Sequence, residues 1–596
     1  MNMTKKHILL LLTIPILTAL ASLLVFACSP RTPAPVSPTV TNFSLDPTIS
    51  VIPNDTIRGT VLNAQGRAIA GATVRVKATE HSTQTDSSGH FILSDLSPGQ
   101  DVVLTAWAAG YYIGGGKDAI LPGSGDVKFT LAVHTQEDNP EYAWLSAFSA
   151  AGYSGSGENG NCENCHADGI NAALPFPEWQ EDAHALSAQN PRFLTMYTGS
   201  DLLGNNSPAT TFFNNRDYGR IPLRPDPSQP YYGPGYKLDF PDTAGNCAAC
   251  HVPTVAVNSA YGTDPTTVRG VGIEGVTCDF CHKVWNVQID PQTGMPYPNM
   301  PGVLSFEFRR PPAGHQFFAG PYDDVAPGED TYTPIQRQSQ FCAPCHYGVF
   351  WNTVVYNSFG EWLESPYSDP TQAKEAGLSS AKSCQDCHMP PGRTNLIATA
   401  EKGGLPRDPQ TIFSHRMPGA MDKSLLENSL TMTVTSRLEE ERLLVEVTLL
   451  NDQTGHHIPT DSPLRQLILL VDARDAEGQA LTLLDGPTLP EWAGVGDPAN
   501  GYYSDLPGKA FAKVLSELWT EISPSVAYWN HTRVLSDNRL AALAQDTSRY
   551  VFSAPAQGKS SISISLLYRR AYIQLMDWKG WDAPDIQMEY QLIEIP

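Results

Sequence analysis

The chain is short of charge, of basic charge above all, and of long apolar runs. Only 17% of its 596 residues are Asp, Glu, Lys or Arg, against roughly 25% in an average soluble domain. Acidic side chains outnumber basic ones 62 to 39, a formal charge of -23. No basic run is present to neutralise phosphates, which argues against nucleic acid as a partner. Beyond Ala27 no stretch is long and apolar enough to span a bilayer, and no tandem repeat of fixed period stands out. The cysteine count is 11, an odd number, so complete internal disulfide pairing is excluded.

What is present is loop and core together: 47 Gly and 49 Pro beside 41% hydrophobic residues. The length predicts several domains. At the start, Lys5, Lys6 and His7 precede an apolar stretch from Ile8 to Phe26, the layout of a secretory leader over residues 1–28. Val25-Phe26-Ala27-Cys28 resembles a bacterial lipobox, which implies lipidation of Cys28 and a membrane anchor at the periplasm or cell exterior. A Pro/Thr/Ser-rich tether over 29–54 follows.

Residues 55–135 read as short strands with turn punctuation: Thr73 to Val76 alternates, Asp86 to Gly89 is a turn, and Phe91 to Leu93 and Val102 to Leu104 are buried strands. The run Arg58 to Val61, Gly71 to Val74, Thr85 to Gly89 and Ala109 to Tyr111 resembles the carboxypeptidase-regulatory-like β-sandwich. That resemblance implies a spacer or adhesion module with no catalytic group of its own. From 136 to 422 loops and short helical stretches carry ten of the cysteines. From 423 to 596 β-patterning returns, in Leu443 to Val447, Leu467 to Val471 and Ile562 to Leu566. The expected fold is a β-sandwich, a loop-rich and mostly α middle domain, and a C-terminal β-sandwich.

The middle region holds one pentad five times: Cys162-Glu163-Asn164-Cys165-His166, Cys247-Ala248-Ala249-Cys250-His251, Cys278-Asp279-Phe280-Cys281-His282, Cys342-Ala343-Pro344-Cys345-His346 and Cys384-Gln385-Asp386-Cys387-His388. Each is C-x-x-C-H, the pattern of c-type haem attachment. Two thiols three residues apart share a helix face and reach two vinyl groups on one haem edge. The adjacent imidazole takes the iron's proximal position. Random placement would give on the order of 0.005 such pentads in a chain of this composition. A zinc site does not require a His after each pair, and disulfides leave the five histidines unexplained. Five covalent c-type haems therefore use ten cysteines, with Cys28 the eleventh.

An iron with two axial imidazoles only passes electrons, whereas an open sixth position can bind substrate. The candidate distal ligands are His184, His315, His415, His456 and His457. His134, His531, Met389 and Met417 are weaker candidates. Arg416, Arg465, Tyr347 and Tyr367 are the polar side chains available to flank an open haem.

The motif with Trp179 and Glu181 to Ala185, Gly275 to His282, Cys384 to Pro390 and Gly455 to Thr460 resembles the superfamily of hydroxylamine oxidoreductase, the pentahaem ammonia-forming nitrite reductases and the tetrahaem cytochromes. The resemblance spans about 140–465 and implies their haem arrangement, with a ligating His in the β-domain. The C-x-x-C-K site typical of the nitrite reductases is missing, because all five motifs end in His. The leading expectation is an exported pentahaem cytochrome that moves electrons between redox-protein partners, in anaerobic respiration. The alternative is a reductase or oxidase of small nitrogen or sulfur compounds at one five-coordinate haem.

Overall fold

Alternation of buried and exposed side chains builds two sandwiches at the two ends of the chain. The computed structural model describes residues 52–149, 161–555 and 559–595; the leader, Cys28 and most of the tether lie outside them. In the first sandwich, strand Ile57–Asn63 pairs antiparallel with His90–Leu93 and parallel with Val127–Leu131. A facing sheet runs Ser82–Gln84, Thr73–Val76, Val102–Trp107, Gly114–Ile120. Ile57, Val61, Val74, Phe91, Leu104 and Leu131 fill the space between. Gly59 is required there, since a Cβ would stand 2.1 Å from the Val127 carbonyl oxygen and 2.6 Å from the Phe91 ring.

The C-terminal sandwich faces the sheet Thr431–Glu439, Arg442–Leu450, Gln545–Ser553, Leu483–Asp485 with the sheet Gly508–Phe511, Gln466–Arg474, Ser560–Arg569, Ile586–Ile595. Leu443, Val445, Val447, Leu467, Leu469, Ile562 and Ile564 form its core, so the three strand runs read from the sequence are the inner faces of these sheets.

The middle region is loop-rich, but the expected mostly α character does not hold. Its longest helix, Pro191–Thr198, has 8 residues. Several others are one turn long and begin at proline, as in Pro253–Ala256. Proline starts a helix well and blocks its extension through the preceding residue, so dense proline gives many short helices. Two-stranded ribbons fill in between, among them Val284–Val287 with Phe306–Phe308 and Gly348–Phe350 with Thr353–Tyr356. No helix among the described residues is long and apolar enough to cross a membrane.

The three parts are tied together by buried polar contacts. Asp324, 1% exposed, accepts the Ala78 N–H at 2.7 Å and the Arg407 guanidinium at 2.7 Å. Arg75 reaches Asp323 at 2.8 Å, and the Ile113 N–H meets the Asp330 carbonyl at 2.9 Å. At the far end Lys579 Nζ donates to the carbonyls of Thr195, Ser200 and Pro234 at 2.9, 2.9 and 2.5 Å. The first sandwich is thus docked on the segment 318–332 and is not a free spacer.

Two tests follow from this seam. Removing one member of a buried ion pair costs about 3–5 kcal/mol, so Asp324→Ala is expected to open the joint and to release the N-terminal sandwich in limited proteolysis, where the exposed Lys128→Ala variant leaves cleavage unchanged. Asp330 is pushed up to about 6, burial outweighing the hydrogen bond from the Phe318 N–H. A raised carboxyl contributes stability below its ordinary range and loses it as pH rises toward 6. The stability difference between the native chain and Asp330→Asn should therefore change between pH 4 and pH 6 and be flat above pH 7, read by thermal unfolding.

Candidate functional site

The five pentads fold alike because each begins at a short turn or cap. Ser383 caps the helix Cys384–His388 through a capping box with Asp386, and the Thr277 side chain accepts the Phe280 N–H at the start of Cys278–Cys281. The His N–H at the end of each of the first four pentads returns to the carbonyl of its first Cys, for example His166 to Cys162 at 2.9 Å and His346 to Cys342 at 3.2 Å. One helical turn therefore points both thiols and the imidazole the same way.

All five turns open onto one cavity of about 2220 Å³, well beyond the roughly 300–1,000 Å³ of a pocket for one small ligand. It is lined by all ten cysteines of the pentads and by His166, His251, His282, His346 and His388. These cysteines are free of disulfides. Among the described residues no group of three or more His, Cys, Asp or Glu converges as a direct ion site would.

The thiols also order the turns relative to one another. Cys162 lies within hydrogen-bonding reach of Cys278, Cys250 of Cys345, and Cys342 of Cys384, while Cys281 faces Cys342 and Cys345. The first pentad is next to the third, the third to the fourth, and the fourth touches both the second and the fifth.

Of the further histidines, His184, His415, His456 and His457 line the same cavity. The His184 and His346 rings stand 6.3 Å apart between centroids, and His388 and His456 stand 6.2 Å apart. Metal–imidazole bonds of about 2.0–2.1 Å, with the ring radius added on each side, put two imidazoles that share one metal roughly 6 Å apart. Both pairs have that separation. His415 is held by Glu178, whose carboxylate accepts the His415 N–H at 2.7 Å and the Ser414 hydroxyl at 2.8 Å. It shares its end of the cavity with His166 and His282; burial first, and these two neighbours after it, bring it down to about 3.

Burial likewise takes His251 and His388 down to about 4. These rings are neutral at pH 7, the form that ligates a metal. Most are oriented through Nδ1 by a carbonyl: His166 by Ile397 at 2.6 Å, His282 by Ala319 at 2.8 Å, His388 by Pro418 at 2.7 Å and His456 by His457 at 2.8 Å. The His184–His346 pair differs. Asp182 takes the His184 Nδ1 at 2.6 Å, and Asp461 faces the His346 Nδ1 at 3.8 Å. Burial lowers His346, yet the Asp461 carboxylate brings it above its ordinary value.

His251 has no such imidazole opposite it among the described residues. Phe193 stacks on its ring at 3.9 Å. Tyr356 and Tyr528, with rings 5.4 Å apart and joined through their hydroxyls, lie near Cys247. Arg465 is close to Asp461, Tyr356 and Tyr568, and all five of these side chains line the cavity.

Other sequence candidates stand elsewhere. His315 is half exposed, paired with Glu329 at 2.9 Å, and outside the cavity lining. His134 is buried against Tyr112, Trp285 and Phe317, and His531 stacks on Trp351 at 4.1 Å; neither lines the cavity. Met389, Met417, Tyr347, Tyr367 and Arg416 line it, with Arg416 turned to Asp422 at 2.7 Å. The roles of Glu178, Asp182, Asp461, Tyr356, Tyr528 and Tyr568 were not read from the sequence. Asp182, two residues before a candidate ligand, was the one with a local signal.

Comparison with known proteins bears mainly on the first sandwich. Residues 56–132 match the carboxypeptidase regulatory-like domain family, in agreement with the resemblance carried by Arg58 to Tyr111. No curated protein matches the chain. Among solved structures, the penta-heme cytochrome c552 from Thermochromatium tepidum is similar at 18% identity and a TM-score of 0.47, over 73% of this chain and 97% of that one. The Fcho1 Mu homology domain of Danio rerio with bound Eps15 peptide follows at 7% identity and a TM-score of 0.12, over 29% and 44%. A family 123 glycoside hydrolase from Clostridium perfringens follows at 10% and 0.11, over 26% of each chain.

Proposed function

We propose that the chain is a pentahaem c-type cytochrome that transfers electrons through closely packed haems, exported by its leader and anchored through Cys28. The observation that carries the reading is the single cavity onto which all five C-x-x-C-H turns open, with two further imidazoles at axial separation from motif imidazoles. The residues fit the group: each Cys pair supplies thioether attachment and each motif His a proximal nitrogen. Haem supplies a one-electron centre where bound. The chain's own part is to hold these centres against each other, to fix the tautomers of His166, His184, His282, His388 and His456 through Nδ1, and to keep water out.

In this reading His184 and His346 serve one haem and His388 and His456 another, with His415 available to the His166 or His282 site. Hydrogen bonding of a ligating His to carboxylate raises its basicity, and such bonds are one of the levers on haem potential. The Asp182–His184 bond therefore gives the haem of the fourth motif the most electron-rich ligand pair, and a low potential. Bis-imidazole ligation of this kind suits anaerobic respiration with redox-protein donor and acceptor.

A second reading is favoured by one observation. The His251 turn has Tyr356 and Tyr528 near its Cys247 and no second imidazole at the separation seen for His346 and His388 among the described residues. A haem held there by Cys247, Cys250 and His251 would supply a site for reducing or oxidising a small nitrogen or sulfur compound, with Tyr356, Tyr528 and Arg465 as the polar side chains nearby.

The reading is tested by intact mass and electron paramagnetic resonance of the purified ferric protein. Five haem additions are expected. His184→Ala and His456→Ala should each convert one low-spin signal to high-spin, and His315→Ala should convert none; equal effects of all three would remove the ligand assignment. A high-spin component in the unaltered protein supports the open His251 site, and a purely low-spin spectrum removes it. In Asp182→Asn one of the five midpoints should move positive in a spectroelectrochemical titration, with the haem count unchanged.

A further inference from the structure

The first sandwich contributes to the cavity as well as docking beside it. Its edge brings Lys77, Ala78, Gly116 and Lys117 into the cavity lining. Arg337, Lys402 and Arg407 line the cavity from the middle region. Arg407 lies near Lys77 and stands with Arg337 over the Tyr322 ring, so in a chain of formal charge -23 at least three cations share this part of the cavity wall, a setting for an anionic partner.

The protein carboxylates there are largely committed. Asp324 is taken by Arg407 and by the Ala78 N–H, each at 2.7 Å. Asp323 is taken by Arg75 at 2.8 Å. Lys77 Nζ donates to the Gly116 carbonyl at 3.0 Å, which uses one of the three donors an ammonium carries. Arg337 lies over the Tyr322 and Phe413 rings, at 5.2 and 5.8 Å.

The segment that seats the sandwich also orients a motif imidazole. Ala319 accepts from His282 Nδ1 at 2.8 Å, and Asp323, Asp324 and Asp330 a few residues later carry the contacts to the sandwich. Docking of the sandwich and placement of the third pentad are thus set by one stretch of chain. Asp324, almost wholly buried, fixes the backbone of Ala78 beside Lys77.

We infer that the carboxypeptidase-regulatory-like domain completes a haem site, its Lys77 and Lys117 binding haem propionate carboxylates at the end of the cavity shared by the His166 and His282 turns. This rests on the haem reading above. Charge-assisted hydrogen bonds to a carboxylate are among the strong ones, and a nearby cation favours the reduced, less positive haem. Loss of the two lysines makes that haem harder to reduce.

The experiment is a spectroelectrochemical titration of the full-length holoprotein in a zwitterionic buffer, with intact mass recorded on each sample. Lys77→Gln with Lys117→Gln should keep five haems and move one or two of the five midpoints negative. Lys77→Arg with Lys117→Arg should restore them. Lys128→Gln, which removes a charge from the same domain away from the cavity lining, should leave them in place. A double Gln variant with native midpoints overturns the inference, and so does a Lys128→Gln variant with the same shift. A difference between native and variant that arises only on adding acetate or phosphate also overturns it, because the carboxylate site would then serve a free anion. Absence of haem from the native mass would instead overturn the haem reading.

Discussion

Ten cysteine side chains directed into one cavity are the constraint from which the middle of this molecule follows. A thiol pair and an imidazole presented from a single helical turn fix the local backbone at five places. What lies between the turns has only to carry the chain from one to the next around the cavity wall. Helices there stay short, ribbons have two strands, and apolar side chains gather in small groups such as Ala248, Val252, Phe280 and Val284 and not in one continuous core.

The two sandwiches supply what such a middle cannot build for itself. Their cores are conventional sheet-on-sheet packing, stable by apolar burial alone, and each lends side chains to the cavity. His456 and His457 come from the loop after strand Arg442–Leu450. Lys77 and Lys117 come from the edge of the first sandwich. The carboxylates behind the imidazoles do complementary work: Glu178 sets a backbone, Asp182 sets a ring, and Asp461 sets the charge around another.

The pentads, the strand runs of both sandwiches and His184, His415 and His456 were legible because each rests on local signals: fixed spacing, period-two alternation, or a His within a distinctive run. Residues brought in by tertiary contact were not. Nothing near Tyr356 or Tyr528 says that a strand end and a turn 172 residues apart in number will meet; the sequence shows two ordinary tyrosines. His315, a candidate ligand by its local run, stands half exposed and paired with Glu329, a contact between residues 14 apart that the run itself does not show. The short helical stretches of the middle region do not add up to a mostly α domain, because prolines and glycines on either side do not let them grow.

The adjacency of the turns carries one more consequence. The fourth pentad, Cys342 to His346, is the one that touches three others: Cys281 of the third, Cys250 of the second and Cys384 of the fifth. In the language of networks it is a junction whose removal leaves the remaining positions in disconnected pieces. A branched array has one position common to all its arms, and here that position holds the His346 ring, which faces His184, each of the two with a carboxylate at its Nδ1.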